Sequence, residues 1–273
     1  MWVNGKWSKW FCPECKFRSK KVKNINIHKR LHQRKNKFYD VISKIPSIDY
    51  IPKFNTEGKL TICMIEFRVM DSIKHVINSV LRVYKPDEIG LCIVHGNLNK
   101  KFIIEQFGNW ENIKLIKYDF DNINQKIYSK LLKTPQFWSN FKNYDNVLII
   151  QTDALLLKRI DDIYFNFDYI GAPWGNFKGG GNGGFSLRKV NTMIKCTHEN
   201  KHNNLRKISG YNEDIYFATK KLNIIKDREL HKKFSVERIF NENPVGYHAI
   251  YKNIHFTNEQ YECLINNIKS KLY

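Results

Sequence analysis

From residue 60 onward, short apolar runs alternate with stretches in which apolar residues recur every three or four positions. The runs at 60–65, 89–94, 113–118 and 147–150 predict buried strands, because a parallel strand covered on both faces reads as an unbroken apolar run. Between the first two runs, Ile73, Val76, Ile77, Val80, Leu81 and Tyr84 keep an i, i+3, i+4 spacing and predict a helix over 73–84. Residues 101–107 and 126–132 read as helices in the same way. This alternation predicts an α/β domain with a parallel, Rossmann-like sheet. The apolar stretch 261–272 predicts a C-terminal docking helix, for this domain or for a partner. Residues 33–59, with Pro46, Pro52 and Gly58, read as a linker carrying a short helix at 39–43.

Candidate chemistry gathers where the pattern breaks. The run 147–150 ends abruptly in Gln151-Thr152-Asp153. Ligands of open α/β sheets sit beyond the carboxyl ends of the strands, so Asp153 is aimed where a ligand or metal would lie. Taken alone, it is as well explained as a turn or cap residue. No G-x-G-x-x-G follows the first strand, which argues against a dinucleotide cofactor. Glu66 and Arg68, just past that strand, suit a nucleoside contact or a surface salt bridge. Five glycines fall within 179–184, followed by Phe185-Ser186-Leu187-Arg188. Glycine permits positive φ and close backbone approach to a ligand, so Gly181, Gly183 and Gly184 read as a loop lining a pocket, and Arg188 as a phosphate contact or a salt bridge on the following helix. Glu213 and Asp214 open a helix predicted over 215–221, where acids also serve as caps. His248 follows Gly246 in a turn-like segment and reads as a structural histidine or, paired with Asp153, as a metal ligand.

Charge adds a second theme. The chain carries +20, and residues 1–37 hold twelve Lys and Arg against Glu14 alone, a net +11. Such asymmetry points to an acidic partner. The N-terminus has no apolar signal region, and no run is long enough to span a bilayer, so the expectation is a soluble, cytoplasmic protein. Four of the six cysteines, Cys63, Cys92, Cys196 and Cys263, sit in apolar or helical contexts and read as ordinary core residues.

The other two belong to a spaced set. Cys12, Cys15, His28 and His32 form C-x2-C-x12-H-x3-H. A tight knuckle supplies two thiolates, and two histidines one helical turn apart supply the rest of a tetrahedron. A segment this short needs such a staple, since it cannot bury a sufficient core. It resembles the two-Cys, two-His zinc fingers, which implies a ββα unit holding structural Zn2+. Ser19 stands where the usual aromatic would be, and Phe17 lies two residues earlier. The resemblance implies that Lys20, Lys23, Asn24 and Ile27 are the positions facing bases. One finger reads only about 3 bp, so non-specific nucleic-acid binding or docking to a protein is as good a reading.

The series Gln151-Thr152-Asp153, Gly171-Ala172-Pro173-Trp174, Gly181-Asn182-Gly183-Gly184-Phe185-Ser186-Leu187-Arg188, Glu213-Asp214 and Gly246-Tyr247-His248 resembles an uncharacterised group of glycosyltransferase-like domains, and through it the GT-A-fold glycosyltransferases. The resemblance covers about residues 60–255. It implies a mixed, mainly parallel sheet flanked by helices, and a metal-dependent transfer of sugar from a nucleotide-sugar donor to a hydroxyl acceptor on a glycan or protein. In that reading Asp153 and His248 bind Mn2+ or Mg2+, and Gln151, Gly181, Gly183, Gly184, Arg188, Glu66 and Arg68 hold the donor. Asp214 is the general base of an inverting reaction, and Glu213 is structural or acceptor-binding. Gln151 departs from the family's first acid and brings no charge. The organisation expected is a basic zinc finger at 1–35, a linker at 36–59 and the glycosyltransferase-like domain at 60–273. The rival is a nucleic-acid- or protein-binding protein whose α/β domain is an inactive scaffold.

Overall fold

The structure, a computed structural model, describes residues 2–3, 6–7, 10–12, 15, 17–19, 22–175, 179–198 and 212–273. At the N-terminus Trp2–Val3 (β1) pairs with Lys6–Trp7 (β2), and Trp10–Phe11 (β3) with Arg18–Ser19 (β4), both antiparallel. The second hairpin leads into α1, Val22–Ile42, so the expected ββα order is present. The helix itself differs from expectation. It runs unbroken across the division expected at residue 35 and absorbs the short helix expected at 39–43. Residues 22–45 contain neither Pro nor Gly, so nothing stops it before Pro46. Burial of Phe38, Val41 and Ile42 then fixes its C-terminal half on the core.

The main sheet follows the predicted alternation. Gly58–Ile65 (β5), Gly90–His95 (β6), Lys114–Lys117 (β7) and Tyr144–Ile150 (β8) are its parallel strands. Ser72–Leu81 (α2), Lys100–Phe107 (α3), Gln125–Leu131 (α4) and Pro135–Ser139 (α5) lie between them in sequence. A short strand Ala154–Leu156 (β9) leaves the sheet after β8. Tyr169–Ala172 (β10) and Asn182–Lys189 (β11) return to it, completing the order β10-β11-β8-β5-β6-β7 with β11 antiparallel to both neighbours. The sheet is therefore mixed and mainly parallel. The chain order reverses between β8 and β5, which is where ligands of such sheets bind. Alternate residues of β5 feed two cores: Ile62 and Met64 one, Cys63 and Ile65 the other, so the sheet is buried on both faces.

Val190–His198 (α6), Glu213–Ala218 (α7), Arg228–Phe234 (α8), Ser235–Val236 (β12), Gly246–His248 (β13) and Asn258–Leu272 (α9) complete the chain. A second, three-stranded sheet has the order β12-β13-β9. Among the described residues no helix is long and apolar enough to cross a membrane.

The glycine cluster corrects one expectation. Asn182–Lys189 is strand rather than pocket loop, since Phe185–Lys189 pairs residue by residue with β8. Gly179, Gly180 and Gly181 have φ of 75°, 74° and 102° and lead directly into β11. At Gly181 a Cβ would also strike the backbone of Gly171 and Ala172.

Candidate active-site cleft

Strand register builds the centre of the site. β8 ends at Ile150, and the chain turns through Gln151-Thr152-Asp153 into β9. β13 runs antiparallel to β9 with His248 opposite Ala154, which brings His248 next to Asp153. Asp153 Oδ1 lies 3.5 Å from His248 Nε2, and Gln151 Oε1 lies 3.2 Å from the same nitrogen. Ala249 then takes a left-handed conformation (φ 49°), its N–H donating to the Asp153 carbonyl. This turn folds the next residues back onto Asp153. The Lys252 ammonium reaches Asp153 Oδ2 at 2.7 Å, and the Tyr251 hydroxyl donates to it at 3.4 Å. Glu237 Oε2 faces the other ring nitrogen of His248 at 3.6 Å.

The electrostatics follow from this crowding. Burial opposes ionisation of Asp153, but His248 and Lys252 outweigh it and hold the carboxyl well below its usual range. Burial likewise opposes the charge on His248, and the two carboxylates overcome it, raising the imidazole to about 9. A metal would bind this ring only as the neutral imidazole, displacing that proton. In an octahedral shell with ligand distances near 2.1 Å, neighbouring donors lie about 3 Å apart. The edges from His248 Nε2 to Gln151 Oε1 and to Asp153 Oδ1, 3.2 and 3.5 Å, are close to that, with a single formal negative charge in the set.

Around this centre lies a cleft of about 990 Å3, lined among others by Glu66, Arg68, Gln151, Asp153, Asn182, Gly184, Glu213, Asp214, Glu237 and His248. Glu66 and Arg68 are paired with each other at 2.7 Å, and Glu66 also accepts the N–H groups of Phe67 and Arg68. Asp214 stands at the start of α7, where burial first and the neighbouring Glu213 second push its carboxyl up to about 6. That is the range of a usable general base.

Arg188, Glu213 and Gly183 form a buried group beside the cleft. Arg188 is wholly buried and does not line the cleft. Its guanidinium lies over the rings of Tyr169, Phe217 and Trp138 at 4.9, 5.4 and 5.7 Å and pairs with Glu213 Oε1 at 3.4 Å. Of the two alternatives for Arg188, the geometry favours a salt bridge over a phosphate contact, but to Glu213 of α7 rather than on the helix that follows it. Glu213 touches the cleft, but Arg188 holds one oxygen and the Ser129 hydroxyl, at 3.0 Å, the other. It anchors the first turn of α7 and so fixes Asp214. Gly183 leaves room for that pair, since a Cβ there would meet Glu213 Oε1 and Arg188.

Gly184 does face the site, and a Cβ on it would occupy the position of the His248 ring. Gly184→Ala is therefore expected to push His248 away from Asp153. It should abolish any Mn2+-dependent rise in melting temperature while the protein still unfolds cooperatively, as differential scanning fluorimetry would show.

At the N-terminus the four ligand atoms of Cys12, Cys15, His28 and His32 lie within 4.8 Å of one another. Cys12 Sγ is 3.7 Å from His32 Nε2, and Cys15 Sγ is 3.4 Å from His28 Nε2. A zinc tetrahedron with bonds near 2.3 Å to sulfur and 2.0–2.1 Å to nitrogen has S–N edges of about 3.5 Å, so these residues fit that ion. Phe17 stacks on His28 with ring centres 4.1 Å apart, standing in for the missing aromatic at 19. Of the positions expected to face bases, Lys20 lies outside the described residues. Lys23 and Ile27 line an open groove together with Ile254 and His255. Lys23 and Asn24 are exposed, and Ile27 is half-buried.

Sequence reading missed the cleft residues Lys35 and Tyr39 of α1, and Tyr251 and Lys252. The first two had a signal: His28, His32, Lys35 and Tyr39 keep one helical stripe at spacings of four, three and four. The last two had none, because they reach Asp153 only through the turn at Ala249.

No curated protein matches the chain. The family model described as "Protein of unknown function (DUF5672)" matches residues 111–248, a span that includes Gln151, Asp153, Glu213, Asp214 and His248. Among solved structures the chain is similar to the glycosyltransferase GlyE of Streptococcus pneumoniae TIGR4, at 12% identity over 79% of this chain and 64% of that one, TM-score 0.44. It is similar to the mannosyltransferase PcManGT of Pyrobaculum calidifontis, in complex with GDP-Man and Mn2+, at 9% identity over 70% and 61%, TM-score 0.39. S. aureus TarS 1-349 matches at 13% identity over 59% and 54%, TM-score 0.36. The chain thus spans between about half and two thirds of the length of these three structures.

Proposed function

We propose, from the premise that this chain belongs to the DUF5672 family of proteins of unknown function, that it is a glycosyltransferase moving a sugar from a nucleotide-sugar donor to a hydroxyl acceptor. One observation carries the reading. Asp153 and His248 converge with Gln151 at the switch point of the sheet, and the same cleft holds a carboxyl raised to about 6. Asp153, His248 and Gln151 would hold Mn2+ or Mg2+, and such an ion, when bound, neutralises charge on a departing diphosphate. The Lys252 ammonium adds a second positive charge at the same place. Asp214 accepts the proton of the acceptor hydroxyl as that oxygen attacks the anomeric carbon, a single displacement that inverts the centre. Glu213 and Arg188 keep Asp214 in position. The Cys12, Cys15, His28 and His32 cluster would hold a structural Zn2+.

The test is a thermal-shift screen of UDP- and GDP-sugars with Mn2+ on the wild type and on Asp153→Ala. The expected result is a donor-specific, Mn2+-dependent rise in melting temperature that Asp153→Ala removes. A folded wild type that responds to no donor would reject the reading. The rival, a binding protein built on an inactive scaffold, draws its support from the Lys252–Asp153 ion pair and from the neutral Gln151. It predicts that flat response.

A further inference from the structure

Strand register carries the carboxylate of Glu237 to His248. β12 runs parallel to β13, with Ser235 opposite Gly246 and Val236 opposite Tyr247. The next pair in that register is Glu237 with His248. Val236 and Tyr247 are wholly buried in the main core. Successive side chains of a strand point to opposite faces, so Glu237 and His248 turn together the other way, where both line the cleft. The backbone at this point is held from outside the sheet. Asn253 Nδ2 donates to the carbonyls of Glu237 and Arg238 at 2.9 and 3.0 Å.

The side chain of Glu237 stands between two fixed groups. Asn182 Nδ2 donates to its Oε1 at 3.4 Å, while Asn182 Oδ1 accepts the Gly184 N–H at 3.0 Å. Its Oε2 faces His248 Nδ1 at 3.6 Å. His248 is only 6% exposed, and among the described residues its Nδ1 has no hydrogen-bond partner. Buried ring nitrogens seldom go unpaired, and hydrogen bonds that are long in an empty site commonly tighten when it is filled. On the other side of the ring, Nε2 faces Gln151 Oε1 and Asp153 Oδ1 at 3.2 and 3.5 Å. The two ring nitrogens point away from each other. A carboxylate on Nδ1 therefore orients the ring without competing for an ion on Nε2.

We infer that Glu237 is a positioning residue for the divalent ion of the cleft: it accepts the Nδ1 proton of His248 and so presents the Nε2 lone pair to an ion beside Gln151 and Asp153. A histidine that binds metal through one nitrogen almost always gives its other N–H to a carboxylate, a carbonyl or water, which fixes the tautomer and the ring angle. Asn182 keeps the Glu237 carboxylate turned toward the ring, which gives the asparagine inside the glycine run a task. This rests on the metal-dependent reading above and goes beyond it by assigning Glu237 and Asn182.

Electron paramagnetic resonance of free Mn2+ would measure the ion's affinity, with Mn2+ alone and with UDP or GDP present. The proteins are full-length and zinc-loaded: wild type, Glu237→Met, Glu237→Gln and Asp153→Ala. Both Glu237 variants keep the length of the side chain and lose its charge, but the Gln amide oxygen can still accept the Nδ1 proton. Melting temperatures without Mn2+ would show that they are folded. Affinity is expected to fall about 10- to 100-fold in Glu237→Met, with most of that loss recovered in Glu237→Gln. Equal losses in the two variants would reduce Glu237 to a nearby charge and overturn the inference. So would affinity unchanged in Glu237→Met, or a loss as complete as that in Asp153→Ala, which would make Glu237 a ligand. Those outcomes leave the donor reading standing. No Mn2+ binding by the wild type under any of these conditions overturns the inference together with the metal-dependent reading.

Discussion

Asp214→Asn will leave the fold intact, raise its stability and cost roughly 10²- to 10⁴-fold in turnover, the usual worth of a general base. Burial first, then Glu213, raise the Asp214 carboxyl to about 6, above its ordinary 3.8. A carboxyl raised in the folded state binds its proton more tightly there than in the unfolded chain. Its contribution to stability is therefore greatest below pH 3.8 and is lost as pH rises through 6. Near neutrality the buried charge costs on the order of 2–3 kcal/mol, which the amide avoids. The amide oxygen can still accept the Ile215 N–H that Asp214 Oδ1 now takes at 2.7 Å. Wild-type kcat/KM should climb through about pH 6, while the melting temperature difference between variant and wild type widens over the same interval. Full turnover in Asp214→Asn, or a rate profile flat from pH 5 to 8, would remove Asp214 from the role of base.

Replacing Cys12 and Cys15 together with Ala will have the second large effect. Structural zinc sites bind with apparent free energies of roughly 10–16 kcal/mol, most of it folding energy. Without the cluster the hairpins and the turns of α1 before Arg34 should melt, and proteolysis should begin between about residues 22 and 32. The turns beyond Arg34 should survive, since Phe38, Val41 and Ile42 are buried in the main core. Circular dichroism should show helix lost, and near-ultraviolet signals from the α/β domain should persist. A variant with undiminished helix and no new cleavage would mean that α1 stands without the metal.

Much of this was legible in the chain. All four parallel strands arise where the apolar runs fall; for β5, β6 and β8 the reason is burial on both faces, while β7 is an edge strand with only Leu115 and Ile116 half-buried. The Cys/His cluster was legible because its ligands lie close in sequence and its spacing is dictated by tetrahedral geometry. The pairing of Asp153 with His248 was suggested by motif order alone. The length of α1 was misjudged because its docking residues, Phe38, Val41 and Ile42, are too few to dominate a lysine-rich segment. For Arg188 a phosphate contact and a salt bridge stayed open, and its full burial was not legible for a related reason. An arginine after a glycine run looks exposed, and only the aromatic faces of Trp138, Tyr169 and Phe217, from three separate elements, make its burial tolerable.

By itself, then, the sequence determined the local matters: which runs become strands, where helices can start, and which four residues can grip a metal. These follow from hydrophobic periodicity, turn chemistry and ligand spacing, all of them short-range. The tertiary structure decided what the carboxylates and cations do. Register between β9 and β13 set His248 on Asp153, and the turn at Ala249 brought Lys252 to the same carboxylate. Packing of β11 against α7 locked Glu213 to Arg188 and left Asp214 with the cleft. The bonds from Arg34 to the carbonyls of Asn253, Phe256 and Thr257 fixed α1 against the domain, where Lys35 and Tyr39 line that cleft. Those outcomes depend on which distant segments share a dielectric environment, and burial and Coulombic pairing over a few ångströms belong to the folded chain alone.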